Sequence, residues 1–193
     1  MTVVQIGRIE MAEQDTAGLD TLFEQMSAPE GYRVEVVGGD VYMTPQRSAH
    51  WEIIRWIVRA LEDRFGMRVK VLSDVRIDFP GKQNGFAPDV AKLRDDAEPD
   101  QRGRWRHEDV EFIAEVISRG TAANDYGPKL AVYAEAEVPV YVIADPYQGR
   151  CRVHLDPKDG EYRTVTTVPF GEDLDLTTTP VALVLGTGAF PRD

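Results

Sequence analysis

Two acids in this sequence sit where a folded chain tolerates them poorly without a cationic partner. Glu115 interrupts the apolar run Val110–Ile117, lying between Ile113 and Ile117 on the same face of what reads as a doubly buried strand. Asp89 follows Pro88 at the entrance to a second apolar run, Val90–Leu93. Desolvating a carboxylate costs several kcal/mol unless a lysine, an arginine or a metal receives it. Two acids brought together at the ends of neighbouring strands can share a divalent cation. Carboxylate oxygens suit Mg²⁺ or Mn²⁺, which keep waters and use only one or two protein ligands. Taken singly, each acid has a plain alternative: Asp89 caps a turn, and Glu115 pairs with an arginine.

Lys129 is the third member of the set. It falls in the first turn of a helix that Gly127-Pro128 allows to begin, and Asp125 precedes it by one helical turn. An ammonium there can orient an attacking water or stabilise charge developing on a phosphoryl group. The alternative is an ordinary surface Asp–Lys pair. Glu35 shares a strand face with Arg33 and Val37, and is either a third metal ligand or an exposed strand acid. His50, at the start of a long helix, is either a phosphate contact or a cap. Tyr133 reads as core, Asp125 as a residue that positions the helix start, and Asp145 as a turn former.

The elements that must hold these residues follow from periodicity. Residues 1–15 are polar, without a sustained period, and read as an amino-terminal arm; residues 16–193 read as a single domain. Leu19, Leu22, Phe23 and Met26 recur at helical spacing. Tyr32–Val37 and Asp40–Met43 flank Gly38-Gly39, a hairpin signature. Ser48–Phe65 is a long amphipathic helix with Trp51, Ile54, Ile57, Val58, Leu61 and Phe65 on its inner stripe, stopped by Gly66. Val69–Leu72, Val75–Phe79 and Val90–Leu93 read as strands separated by turns at Pro80-Gly81 and Asn84-Gly85. The polar segment Arg94–His107 reads as a flexible loop. Val110–Ile117, with Val110, Phe112, Ala114 and Val116 on one face, and Val138–Asp145 form a parallel pair across a helical crossover. A hairpin over Arg150–Leu155 and Tyr162–Thr167 and short edge pieces at Leu174–Leu176 and Val181–Leu185 complete an α/β domain with a central mixed sheet flanked by helices.

Composition narrows the classes. The chain has 193 residues and a formal charge of −11, so its overall field repels phosphate, and any nucleic-acid contact must be local or metal-assisted. One cysteine, Cys151, rules out an intrachain disulfide or a cysteine-based zinc site. No apolar run is long enough to span a bilayer and no secretory pattern opens the chain, so a cytoplasmic protein is expected. The segment RGRWRH interleaves Arg102, Arg104 and Arg106 with Trp105. It offers phosphate contacts and a stacking aromatic, or else is a solvated loop with one anchor.

The stretches FAPDVAKL, FIAEVIS, NDYGPKLAVYAEAEVP and YVIADP resemble the Uma-two endonuclease family, of the restriction-endonuclease-like PD-(D/E)XK superfamily. The likeness runs from about Tyr32 to Leu185. It implies a metal-dependent phosphodiesterase acting on DNA, with Asp89 and Glu115 binding Mg²⁺ or Mn²⁺ and Lys129 helping to deprotonate or orient the nucleophile. The superfamily's usual lysine, two residues after the glutamate, is replaced by Ile117; the family pattern carries it on the following helix, matching Lys129. An acid like Glu35 and a histidine like His50 also belong to the pattern. A homodimer would supply the two sites that double-strand cleavage needs. A catalytically silent binding or assembly module is the alternative, favoured by the acidic charge, and a phosphatase on small phosphoesters would use the same residues.

Overall fold

The structure, a computed structural model, describes residues 16–25, 32–45, 47–81 and 83–193. The expected amino-terminal arm lies outside them. Helix α1 (Thr16–Gln25) precedes the hairpin β1 (Tyr32–Val37) and β2 (Asp40–Pro45). Gly38 and Gly39 turn it with φ of 59° and 89°, the pair of positive values that a two-residue hairpin of this hand demands. Helix α2 (Ser48–Phe65) follows. It ends at Gly66, whose φ is 86° and whose N–H donates to the Glu62 carbonyl at 2.7 Å.

Four short strands come next: β3 (Val71–Leu72), β4 (Ile77–Phe79), β5 (Asn84–Phe86) and β6 (Val90–Leu93). Then β7 (Trp105–Arg106) and a 3-10 turn (His107–Asp109) lead into β8 (Val110–Val116). The crossover is split into α3 (Ala122–Tyr126) and α4 (Pro128–Glu135) by Gly127 and ends in β9 (Val140–Asp145). The long hairpin β10 (Arg150–Lys158) and β11 (Glu161–Pro169) and the short pair β12 (Asp173–Asp175) and β13 (Val184–Gly186) close the chain.

A six-stranded mixed sheet in the order β11-β10-β9-β8-β6-β3 is the frame. Its central strands β8 and β9 run parallel, with Glu115 opposite Ile143, and β6 lies antiparallel to β8. Both faces are covered. On one, Phe112, Ala114 and Val116 pack with Ile53, Ile54, Ile57 and Leu61 of α2 and with Leu174, Leu176 and Leu185 near the carboxy terminus. On the other, Ile113, Ile117, Tyr141 and Ile143 meet Tyr133 of α4 and Ile77, Phe79 and Phe86 of a second, five-stranded sheet ordered β2-β1-β5-β4-β7. The molecule is one domain of mixed sheets with a few flanking helices.

Four local expectations are corrected. Asn84-Gly85 is strand β5 rather than a turn. The turn lies just before it, where the Asn84 side chain binds the Pro80 carbonyl at 2.6 Å and the Gly38 N–H at 3.0 Å. Gly85 is there for close approach, since a Cβ would stand 3.0 Å from the Phe23 ring. The Arg94–His107 segment is tied down: β7 pairs with β4, and Asp100 accepts the N–H groups of Arg102 and Arg104 at 2.8 and 2.9 Å. Val110 packs with Ile113 and Ile117 rather than with Phe112, because a register shift opposite Lys92 and Leu93 inserts a residue and turns the strand start over. Trp51 is 54% exposed, on the rim of the α2 stripe that His50, Ile53 and Ile54 bury.

These placements set an expected contrast in stability. Phe112→Ala, at a site 1% exposed, should cost about 3–5 kcal/mol in a urea melt, and Trp51→Ala less than about 1 kcal/mol. Equal losses would contradict the packing of α2.

Candidate active site

The β6–β8 register puts Val90 opposite Ala114, so Asp89 and Glu115 meet side by side at the same end of adjacent strands. Both are buried, at 1% and 0% exposure. The Asp89 N–H points at Glu115 Oε2 at 3.4 Å, and Asp89 Oδ2 accepts the Val116 N–H at 2.7 Å. Glu35, on β1 of the facing sheet, closes over them, with Oε1 accepting the Ala87 N–H at 3.0 Å.

Lys129 reaches this group from α4 and is itself fully buried. Its Nζ lies 2.6 Å from Glu115 Oε1, 3.0 Å from Glu35 Oε1 and 3.0 Å from Asp125 Oδ1. The Gly127 break leaves Asp125 and Lys129 one turn apart on the same side despite belonging to two helices. No ion pair among the described residues links Lys129 to Asp89, which is held instead by His50 Nε2 at 2.9 Å and by Arg33. The Tyr133 hydroxyl donates to Glu115 Oε1 at 2.7 Å, so this tyrosine is core in its ring and part of the site at its tip. Asp145 forms a turn as expected, accepting the N–H groups of Tyr147 and Gln148.

Arg33 is the residue that sequence reasoning missed. Its guanidinium binds Asp89, lies 3.6 Å from Glu35 Oε2 and 3.9 Å from Glu115 Oε2, and reaches Asp74 at 3.4 Å. The signal was present, since Arg33 shares the inward face of β1 with Glu35.

Charge in this confined space divides the acids. Burial pushes Asp89 up, but Arg33, His50 and the Val116 N–H together hold its carboxyl well below the usual range. Glu35 is also lowered, burial being outweighed by Lys129 and Arg33. Burial wins at Glu115, whose carboxyl rises to about 8, Lys129 pulling it down while Asp89, Glu35 and Asp125 push it further up. Lys129 is raised: burial disfavours its charge, and Asp125, Glu115 and Glu35 more than restore it. The three acids thus favour its ammonium form.

The donor set suits a hard divalent ion. Three carboxyl groups converge on one position, and four buried acids face only two permanent cations. The Arg33 guanidinium fills that position here, and among the described residues no three His, Cys, Asp or Glu side chains are already spaced to hold a metal. Arg33 would have to swing aside to admit one.

The RGRWRH arginines do not pair with this cluster. Arg102 and Arg104 bind Asp20 of α1 at 3.6 and 3.2 Å, and Arg106 binds Glu108 at 3.7 Å. Arg102, Gly103 and Arg104 help line a cavity of about 530 Å³ with Asp20, Glu24 and Arg76.

A family profile described as "Uma2: Putative restriction endonuclease" matches residues 20–187. The chain belongs to the Uma2 family. Among solved structures it is similar to a crystal structure titled as a putative nuclease belonging to DUF820 from Anabaena variabilis ATCC 29413. The TM-score is 0.69 at 12% identity, over 89% of this chain and 96% of that one, a likeness of fold. A comparison with curated proteins finds no match. Among the described residues no helix is long and apolar enough to cross a membrane.

The split between the acids predicts a pH signature. Glu115 binds its proton more tightly folded (about 8) than at its ordinary value of 4.5, so in EDTA it should make the fold less stable as pH rises from 4.5 toward 8. Glu115→Gln should flatten that slope in thermal melts. A slope unchanged by the substitution would mean that Glu115 is ionised throughout.

Proposed function

We propose that this chain is a divalent-metal-dependent endonuclease that hydrolyses phosphodiester bonds in DNA, with Asp89 and Glu115 as the metal-binding acids, Glu35 as a third, and Mg²⁺ or Mn²⁺ as the ion. The observation that carries this reading is the meeting of Asp89 and Glu115 on adjoining strands with the Lys129 ammonium 2.6 Å from Glu115. Membership of the Uma2 family supports the nuclease class.

An ion held there would supply Lewis-acid activation of the scissile phosphate and of a bound water. The chain's own residues define the rest. Asp89 stays ionised across the physiological range and so remains a ligand, with His50 and the Val116 N–H fixing its two oxygens. Lys129 remains cationic and offsets negative charge developing on the phosphoryl group, a role of position rather than proton removal. Tyr133 and Lys129 together fix the Glu115 carboxylate, much as outer hydrogen bonds orient ligands in metal sites generally. Arg33 is the built-in competitor: bound to Asp89 without the ion, it is free to meet substrate phosphate once displaced.

A second reading, a catalytically silent nuclease-like module used for binding or assembly, draws on the same Arg33, because its guanidinium already neutralises the acids. Metal titration separates the two. Mn²⁺ or Mg²⁺ should raise the melting temperature of the wild type, since a ligand specific to the native state stabilises it. That rise should vanish in Glu115→Ala. Lys129→Ala should keep the metal response and lose most plasmid cleavage. Cleavage undiminished in Lys129→Ala would remove the lysine from the mechanism. No metal response and no cleavage by the wild type would leave the silent module.

A further inference from the structure

We propose that Arg119, Arg150 and Arg152, where β8 and β9 end, grip the phosphodiester backbone of duplex DNA entering the Asp89–Glu115 site, a surface that rests on the nuclease reading above. Place is the first argument. Strands β8 and β9 run parallel and stop together, Val116 opposite Ala144, with the Ile117 N–H donating to the Ala144 carbonyl at 2.9 Å. Arg119 follows β8 directly, just past Glu115, and Tyr147 follows β9. Tyr126 is the neighbour of Asp125, which holds Lys129. The patch and the acid cluster thus share one end of the sheet.

The second argument is electrostatic. Most arginines of this acidic chain, those of the RGRWRH segment included, have a carboxylate within 4 Å. Among the described residues Arg119, Arg150 and Arg152 have none; Arg55, Arg64 and Arg68 also lack one but lie on α2 and in the turn after it, and Arg192 lies beside Gly149. Arg150 and Arg152 lie on one face of β10, roughly 7 Å apart along the strand, where two like charges repel. The Nε atoms of both are buried without a partner. Half-buried guanidiniums without an acid partner, as at Arg150 and Arg152, cost stability, and a phosphate backbone would supply the missing anion.

The patch is also built. The Arg119 guanidinium lies over the Tyr147 ring at 4.6 Å and that of Arg152 over the Tyr126 ring at 5.7 Å. Asp145 joins the two tyrosines, accepting the Tyr126 hydroxyl at 2.8 Å and the Tyr147 N–H at 3.0 Å. Stacking on an aromatic face holds a guanidinium in place while leaving its N–H edge open to a phosphate oxygen.

The test is the salt dependence of binding a short fluorescent DNA duplex by anisotropy in EDTA, where metal-dependent cleavage is silent. Each lost phosphate contact should lower the slope of log K against log salt by about 0.9, so Arg119→Gln with Arg152→Gln should lower it by about 2. Arg119→Gln alone, at an exposed position, should lower it by about 1 and guards against misfolding of the double variant. Arg163→Gln, whose arginine is paired with Asp159, is the control. A slope unchanged in the double variant, or one lowered instead by Arg102→Gln with Arg104→Gln, overturns the proposal and leaves the nuclease reading intact. A wild type that neither binds nor cuts DNA overturns both.

Discussion

The burial of four carboxylates between two sheets is the constraint on which the rest of this molecule depends. Asp89, Glu115, Glu35 and Asp125 are all withdrawn from water, and a charge in that setting is tolerable only when paired and hydrogen-bonded. Arg33 and Lys129 divide the task. Arg33 serves the Asp89 side, Lys129 the Asp125 side, and both touch Glu35 and Glu115. Apolar residues of similar volume would often be as stable as such a network, so its presence points to use rather than to stability.

Each partner arrives by a different structural device. Asp89 and Glu115 are neighbours because β6 and β8 are antiparallel in a register that sets Val90 against Ala114. Glu35 and Arg33 come from the second sheet, which packs on the same face of β8 that carries Ile113 and Ile117. Lys129 comes from the crossover. The interruption at Gly127, φ −130° and ψ −97°, lets α3 end with Asp125 buried and α4 start with Lys129 beside it. An uninterrupted crossover helix would have had to satisfy both residues with a single axis.

The net charge of −11 also becomes intelligible in spatial terms. Acid–arginine pairs spread over the surface neutralise much of the local positive charge, including that of the RGRWRH segment, where Asp20 and Asp100 absorb Arg102 and Arg104. Three arginines that lack such partners, Arg119, Arg150 and Arg152, lie at the end of the central sheet near the buried acids. In a chain whose overall field opposes phosphate, local arrangement decides where an anion can rest.

Much of this was legible in one dimension. Local pattern determined the long helix Ser48–Phe65, the Gly38-Gly39 hairpin, the parallel pair around the crossover, and the anomaly of Glu115 in an apolar strand, because periodicity and turn chemistry act between residues close in sequence. The likeness of a few short stretches to a known family marked Asp89, Glu115, Lys129, Glu35 and His50. Tertiary structure alone decided what those side chains touch: Arg33 as the cation at Asp89, Tyr133 as a donor to Glu115, the bond between His50 and Asp89, and the strand at Asn84–Phe86. The inward face of β1 put Arg33 beside Glu35 in the sequence, yet its partner Asp89 lies 56 residues away. Pairings at that separation are set by sheet register and by the packing of one sheet on another, and no local period encodes either.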